Sequence, residues 1–192
     1  MKERKLNRKK GYDYCSNGWY FITCVVKGRE NWFGKIVNNK VKLNKYGHIV
    51  RECWFDLPKY FSNCVLDDHI IMPNHFHGII QIDNDKSGGA GHNFVRTGHG
   101  LVRTGCDLVG TGLRPVPTLH NRTNINKKIH SLSQIVGSFK SFSSRQINQN
   151  SDELNKIFRW QRSFHDIIIK NEKQYNTLVK YIHENPINFF NL

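Results

Sequence analysis

The chain has 192 residues, with 29 Lys and Arg against 15 Asp and Glu, so its formal net charge is +14 at pH 7. This length favours one domain with a sizeable core, and the excess of positive charge favours nucleic acid over a membrane surface as partner. No apolar run approaches the ~18 residues of a membrane span, and five cysteines without a C-x-x-C pair argue against a zinc ribbon or a disulfide framework and favour the cytoplasm.

Residues 1–10 form a basic arm that lacks the apolar core of an export signal. Residues 19–26 are rich in aromatic and β-branched side chains, which predicts a strand, and residues 33–43 predict a hairpin that turns at Asn38-Asn39. A helix follows, with Asn44 as its N-cap and Pro58 as its stop. Its apolar positions recur at helical spacing: Tyr46, Ile49, Val50, Cys53, Trp54 and Leu57.

Two further strands are predicted on either side of a Pro73-Asn74 turn, over residues 64–72 and 76–82. Because side chains alternate along a strand, His75 and His77 lie on one face, about 7 Å apart along the backbone. Two imidazoles in this arrangement can converge on one ion or one phosphate. The alternative, that both are polar residues at the end of an edge strand, stays open at this point.

The segment from about residue 83 to 128 has little periodic apolar signal and contains a seven-residue repeat, Val95–Leu101, Val102–Leu108 and Val109–Gly112. Glycine in every unit works against a coiled coil, and three short units are too few for a solenoid. We therefore predict a long, mostly disordered insertion in a single domain that spans residues 11–192.

Order is predicted to resume at Ser131 with a helix whose buried stripe contains Leu132, Ile135, Val136, Phe139 and Phe142. Lys140 and Arg145 lie off this stripe. A strand is expected within residues 157–170, and Asn171 opens the last helix with a capping-box pattern. Pro186 is predicted to close that helix.

Tyr181 and Asn185 are four residues apart, so they share one face of the last helix beside its buried stripe. Each also has an ordinary structural interpretation, Tyr181 as a border residue and Asn185 as a C-cap. Together with His75 and His77 they describe a chemistry, because a tyrosine that attacks a phosphodiester needs a cation to offset the phosphate charge. Tyr175 is the other tyrosine of this helix, and it fits the apolar stripe.

The segments Met72–His77 and Tyr181–Pro186, with Trp160-Gln161-Arg162 between them, resemble the REP-associated tyrosine transposases. These belong to the single-tyrosine His-hydrophobic-His (HUH) transposases of small bacterial insertion sequences. The resemblance covers roughly residues 11–190, apart from the insertion, and it implies an α+β, ferredoxin-like sandwich with an antiparallel sheet and helices on one face.

The resemblance further implies a Mg²⁺ or Mn²⁺ site and the nicking and transfer of single-stranded, hairpin-forming DNA through a 5′-phosphotyrosine. It assigns the nucleophile to Tyr181 and the metal ligands to His75, His77 and Asn185, although some relatives use Gln at the last position. Lys140, Arg145 and Arg162 are the candidate DNA contacts, and the expected location is the cytoplasm, on the nucleoid. The sequence does not distinguish a monomer from a homodimer.

Two other functions stay open. One is a protein derived from a transposase that binds DNA hairpins without cutting them, because the basic arm and net charge fit it equally well. The other is a plasmid replication or relaxase nickase, which shares the chemistry but fits Tyr-x-x-x-Asn-Pro less well. Retention of all four polar positions favours the transposase.

Overall fold

The computed structural model describes residues 8–85, 94–97, 100–103, 129–151 and 156–189. The chain divides into two compact units, one of Met1–Lys86 with Ile129–Leu192 and one of Ser87–Lys128. The first unit contains strands β1 (Gly18–Val25), β2 (Gly34–Val37), β3 (Lys40–Leu43), β4 (Cys64–Ile71) and β5 (His75–Ile82). It also contains helices α1 (Lys45–Phe55) and α2 (Leu57–Tyr60). In the second unit, β6 (Phe94–Thr97) pairs antiparallel with β7 (Gly100–Arg103). The first unit is completed by α3 (Leu132–Gln149), β8 (His165–Ile169) and α4 (Glu172–Asn188).

The main sheet has four strands in the order β4-β5-β1-β8, and each neighbouring pair is antiparallel. Counting only these four along the chain, the order is second, third, first, fourth, with helices connecting the first to the second and the third to the fourth. This is the arrangement of the split β-α-β motif. The predicted α+β class and antiparallel sheet are therefore confirmed.

The helices divide between the two faces of the sheet, which corrects the expectation of a single helical face. On one face, Trp54 of α1 and Phe139 of α3 pack on Phe76 of β5. On the other face, Val179 and Ile182 of α4 form a second cluster with Phe21 of β1 and Ile79 of β5. The physical reason is that the two central strands carry large apolar side chains on both faces, so each face must be covered.

Local signals placed the first helix and the hairpin before it. Asn38 and Asn39 have φ of 50° and 58°, which suits the two-residue turn that joins β2 to β3. Asn44 caps α1, since its side chain accepts hydrogen bonds from the backbone N–H groups of Tyr46 and Gly47. Pro58 ends α1 as predicted but also lies in the first turn of α2, where its missing N–H costs nothing.

The last helix differs from its prediction at both ends. The side chain of Asn171 accepts from the backbone N–H of Gln174, but the Gln174 side chain accepts from Lys170 rather than closing a full capping box. The prediction that Pro186 ends the helix is wrong, because α4 runs through it to Asn188. Pro186 lies in the last turn, where the loss of its N–H removes one helical hydrogen bond near the end. Asn185 is consequently an interior helical residue.

Polar side chains tie the two borders of the insertion together within the first unit. The Asn63 amide donates to the side chain of Asn84 (3.0 Å) and to the carbonyl of His130 (2.9 Å), and the Asn84 amide donates to the carbonyl of Cys15 (2.8 Å). The sequence predicts that the insertion is mostly disordered. Within it, the structure describes residues 83–85, β6 and β7, and the other residues lie outside the described part. No helix in the described residues combines the length and apolar character of a membrane span.

Candidate active site

The two histidines lie at the start of β5, an interior strand of the main sheet. His75 is the first residue of β5 and pairs with Val25 of β1, while His77 pairs with Thr23. The hairpin from β4 is closed by a hydrogen bond from the N–H of Met72 to the carbonyl of His75 (2.8 Å). The two imidazole centroids are 4.7 Å apart with planes at 74°. The strand geometry thus brings both rings together on the face that α4 covers.

Each ring is held through its Nδ1 atom. His75 Nδ1 is 2.6 Å from the side-chain oxygen of Asn74, to which it donates, and His77 Nδ1 is 2.8 Å from the hydroxyl of Thr23, which can accept. The Asn74 amide also donates to the carbonyl of Arg29 (3.3 Å). With hydrogen on both Nδ1 atoms, the lone pair of each ring lies on Nε2, which is the usual arrangement of a histidine that ligates a metal.

His77 is the more deeply placed of the pair. Only 4% of its surface is exposed, and its Nε2 is buried with no hydrogen-bond partner among the described residues. Its ring stacks on Phe21 at a centroid distance of 5.2 Å. Burying a polar nitrogen without a partner destabilises the fold, so an unpartnered Nε2 beside a second imidazole is a site that a ligand would satisfy.

Both imidazoles are neutral at pH 7. Burial lowers the pKa of His75 to about 4, with a smaller contribution in the same direction from the charge of Arg29 and an opposing one from the side chain of Asn185. Burial and the neighbouring His75 lower the pKa of His77 to about 3. Since a metal competes with protons for the same nitrogen, low pKa values keep both nitrogens available to a cation at neutral pH.

Asn185 reaches the same place from α4. It is 8% exposed, and its side chain lies close enough to His75 to favour the protonated form of that imidazole. This position removes the interpretation of Asn185 as a simple C-cap, because the residue lies one turn inside the helix. A carboxamide oxygen is a suitable ligand for Mg²⁺ or Mn²⁺.

Tyr181 is the tyrosine beside the histidines. Its ring lies 5.3 Å from that of His77 and 6.1 Å from that of Phe21, both edge-on, and 44% of the residue is exposed. Tyr175 is occupied elsewhere: its hydroxyl donates to Asp67 at 2.5 Å and its ring packs against Trp19 at 5.6 Å. Tyr181 therefore combines proximity to the imidazoles with access from solvent.

The side chains of His75, His77 and Asn185 suit a site that binds a divalent cation with modest affinity. The described residues contain no group of three or more His, Cys, Asp and Glu side chains arranged to hold a metal. A site on β5 would therefore combine two imidazole nitrogens with the amide oxygen of Asn185 and leave other positions to water or phosphate. Three neutral ligands of this kind do not cancel the charge of the ion.

The three basic residues expected to contact DNA differ in their surroundings. The Lys140 ammonium donates to the backbone carbonyls of Gln161 (2.7 Å), Arg162 (3.2 Å) and Ser163 (3.1 Å), and burial lowers its pKa. Lys140 thus fastens α3 to the segment before β8, and its role in DNA binding stays a prediction. Arg145 and Arg162 have exposed side chains.

Sequence reasoning missed the residues that orient the histidines. Thr23 is 54 positions from His77 and becomes its neighbour through the pairing of β1 with β5. Alternation in β1 places Thr23 on the same face as Phe21, which was the available signal. The sequence marks Asn74 only as a turn residue, and nothing in its pattern shows that the amide holds the adjacent ring of His75.

Comparison with known proteins places these features in a family. The family model described as "Transposase IS200 like" matches residues 120–185, a span that holds α3, β8 and the part of α4 with Tyr181 and Asn185. An uncharacterised protein of Haemophilus influenzae is 33% identical over 187 residues, which cover 96% of this chain and 88% of that protein. The chain belongs to the IS200-like transposases.

The solved structure of a REP-associated tyrosine transposase bound to a REP hairpin shares the fold. The two superpose with a TM-score of 0.55 at 14% sequence identity, over 97% of this chain and 74% of the other. This likeness shows the shared fold, while the family model and the Haemophilus influenzae relative confirm the predicted transposase family and, with it, the assignment of the chain to the proteins that carry out DNA transposition. The histidine pair lies outside the segment matched by the family model, so its role rests on the geometry described above.

Proposed function

We propose that this IS200-like transposase nicks single-stranded, hairpin-forming DNA with Tyr181 as nucleophile and rejoins the strand elsewhere. The observation that carries the proposal is the buried Nε2 of His77, which has no hydrogen-bond partner among the described residues, next to the exposed ring of Tyr181. Hairpin DNA is the proposed partner because the structural relative was solved with a REP hairpin. The net charge of +14 supports binding to the DNA backbone.

A bound Mg²⁺ or Mn²⁺ would neutralise charge on the scissile phosphate and assist departure of the leaving oxygen. His75, His77 and Asn185 would hold it, with the rings oriented by Asn74 and Thr23.

Tyr181 supplies the chemistry. Its phenolic oxygen forms a bond to phosphorus, and the bond from phosphorus to the 3′ oxygen breaks. The phenol loses one proton and the departing 3′ oxygen gains one, so the products are a 5′-phosphotyrosine and a free 3′ hydroxyl. The new linkage is still a phosphodiester, so a 3′ hydroxyl of another strand can reverse the reaction without ATP.

The test is a covalent-adduct assay with a labelled DNA hairpin and Mn²⁺. Wild-type protein is expected to give an adduct that withstands denaturing gel electrophoresis and disappears in EDTA. Tyr181→Phe should bind the hairpin but form no adduct at any time, whereas Tyr175→Phe is the matched control that still forms the adduct, at a reduced rate. Tight hairpin binding by the wild type without any adduct would refute the proposal and support the binding protein that does not cut.

A further inference from the structure

Two consecutive aspartates, Asp67 and Asp68, lie at an irregularity in the main sheet. Leu66 of β4 pairs with Ile80 of β5, and His69 pairs with Gly78, so both aspartates stand opposite the single residue Ile79. Two residues opposite one define a β-bulge, which is a common device for redirecting side chains. In a regular strand the two carboxylates would point to opposite faces.

At the bulge, both carboxylates reach α4. Asp67 Oδ2 accepts a hydrogen bond from the hydroxyl of Tyr175 at 2.5 Å. Asp68 Oδ2 lies 3.7 Å from Nε2 of His183, with the Asp68 side chain 21% exposed. The distance in the first contact is typical of a strong hydrogen bond from a hydroxyl to a carboxylate.

The apolar contact between α4 and the sheet is built on four buried side chains in the described part of the chain, Phe21, Ile79, Val179 and Ile182. Five partly buried side chains pack around them: Trp19, Ile70, Ile169, Tyr175 and Leu178. Apolar contacts have little directionality, so this cluster alone fixes the rotation and height of the helix only loosely. The two polar contacts at the bulge supply the direction that this cluster lacks.

Helical geometry links these contacts to Tyr181. At ~100° per residue, His183 lies ~200° around the axis from Tyr181, and Tyr175 lies ~120° from it. The two aspartates therefore hold the side of α4 that faces away from the nucleophile, while Tyr181 faces His77. A rotation of α4 that broke the aspartate contacts would also carry the Tyr181 hydroxyl away from the histidines.

We propose that Asp67 and Asp68 are positioning residues that lock α4 onto the sheet and thereby hold Tyr181 beside His77. The inference rests on the proposed function, since it assigns to this contact the alignment of the nucleophile. Asp67 carries the larger effect through Tyr175, and Asp68 adds a weaker contact because His183 is 63% exposed.

The test compares Asp67→Ala, Tyr175→Phe and the double variant in single-turnover adduct formation with a labelled hairpin and Mn²⁺. Each single change is expected to slow the reaction about tenfold. The double variant should be no slower than the slower single, because both changes remove the same contact. Asp67→Asn keeps an oxygen that accepts from Tyr175, so its rate should stay within about twofold of wild type. Asp68→Ala should slow the reaction by an intermediate amount, more than about twofold and less than about tenfold. Hairpin affinity should not change in any of them.

Hydrogen exchange of the α4 amides tests, without relying on activity, whether the aspartates hold α4 on the sheet. Asp67→Ala is expected to speed exchange in α4 and leave the amides of β1 and β5 protected. Unchanged adduct rates, additive losses in the double variant, or equal slowing by Asp67→Asn would each overturn the inference. Absence of an adduct with the wild type would refute the proposed function instead. The hydrogen exchange of α4 would then decide by itself whether the two aspartates hold the helix on the sheet.

Discussion

Replacing Gly78 by alanine tests the packing that places the histidine strand. A Cβ at this position would lie 2.7 Å and 2.8 Å from two ring carbons of Trp54 and 2.9 Å from a ring carbon of Phe76. Both rings are fully buried, and Trp54 is further confined by Phe139 at a centroid distance of 5.6 Å. The new methyl group therefore has nowhere to go unless the ring or the strand moves.

The size of the effect follows from the distances. Ordinary contact begins at 3.4 Å, so Trp54 and β5 must separate by about 0.7 Å at the closest point. Overpacking of this kind costs about 1–3 kcal/mol, and the lower backbone entropy of alanine in the unfolded chain returns somewhat less than 1 kcal/mol. We expect Gly78→Ala to lower the free energy of unfolding by about 1–2 kcal/mol. Because Gly78 follows His77, displacement of the strand should also weaken Mn²⁺-dependent adduct formation.

The assay is urea denaturation followed by tryptophan fluorescence, with Gly137→Ala as the matched control. A Cβ on Gly137 meets nothing within 4 Å on the exposed side of α3, so alanine should stabilise the protein by up to about 1 kcal/mol. Wild-type stability in Gly78→Ala would refute the packing of Trp54 against β5. Equal destabilisation by both variants would show that the effect does not depend on the contact.

Three further predictions concern the site and the insertion. Thr23→Val removes the hydroxyl that faces His77 Nδ1 and should weaken Mn²⁺ affinity by about 10–100-fold, while the affinity of Thr23→Ser should stay near that of the wild type. Equal Mn²⁺ affinity of the wild type and both variants in a titration would contradict the orienting role of Thr23. Saturating Mn²⁺ should raise the unfolding temperature of the wild type but not of His77→Gln, and an equal rise in both would place the ion elsewhere. Replacing Ser87–Lys128 by a short Gly-Ser linker should change the free energy of unfolding little, because loop closure depends weakly on length; a loss of several kcal/mol would refute it.

Periodicity and local signals in the sequence predicted most of the elements. The spacing of apolar residues around Val50 and Ile135 placed two helices, and Asn44 marked the start of the first. Alternation along β5 correctly put His75 and His77 on one face. These features depend on neighbours in sequence, which is why local patterns carry them.

The rest depends on contacts between distant segments. The sequence could not assign α4 to its own face of the sheet, because Phe21 and Ile79 look like any other apolar strand residues. The same limit hid Thr23 as the partner of His77 and the bulge that turns Asp67 towards α4. The continuation of α4 through Pro186 was missed for a different reason: the general rule for proline does not hold in the last turn of a helix anchored by packing.

The identity of the residue that becomes linked to DNA tests directly whether Tyr181 is the nucleophile. Wild-type protein would be incubated with a hairpin oligonucleotide and Mn²⁺, digested with protease and analysed by mass spectrometry. We expect one DNA-linked peptide, modified on Tyr181 through a 5′ phosphate, together with a free 3′ hydroxyl on the other fragment. Attachment to Tyr175 or to another residue, or cleavage that leaves no protein-linked DNA, would contradict it.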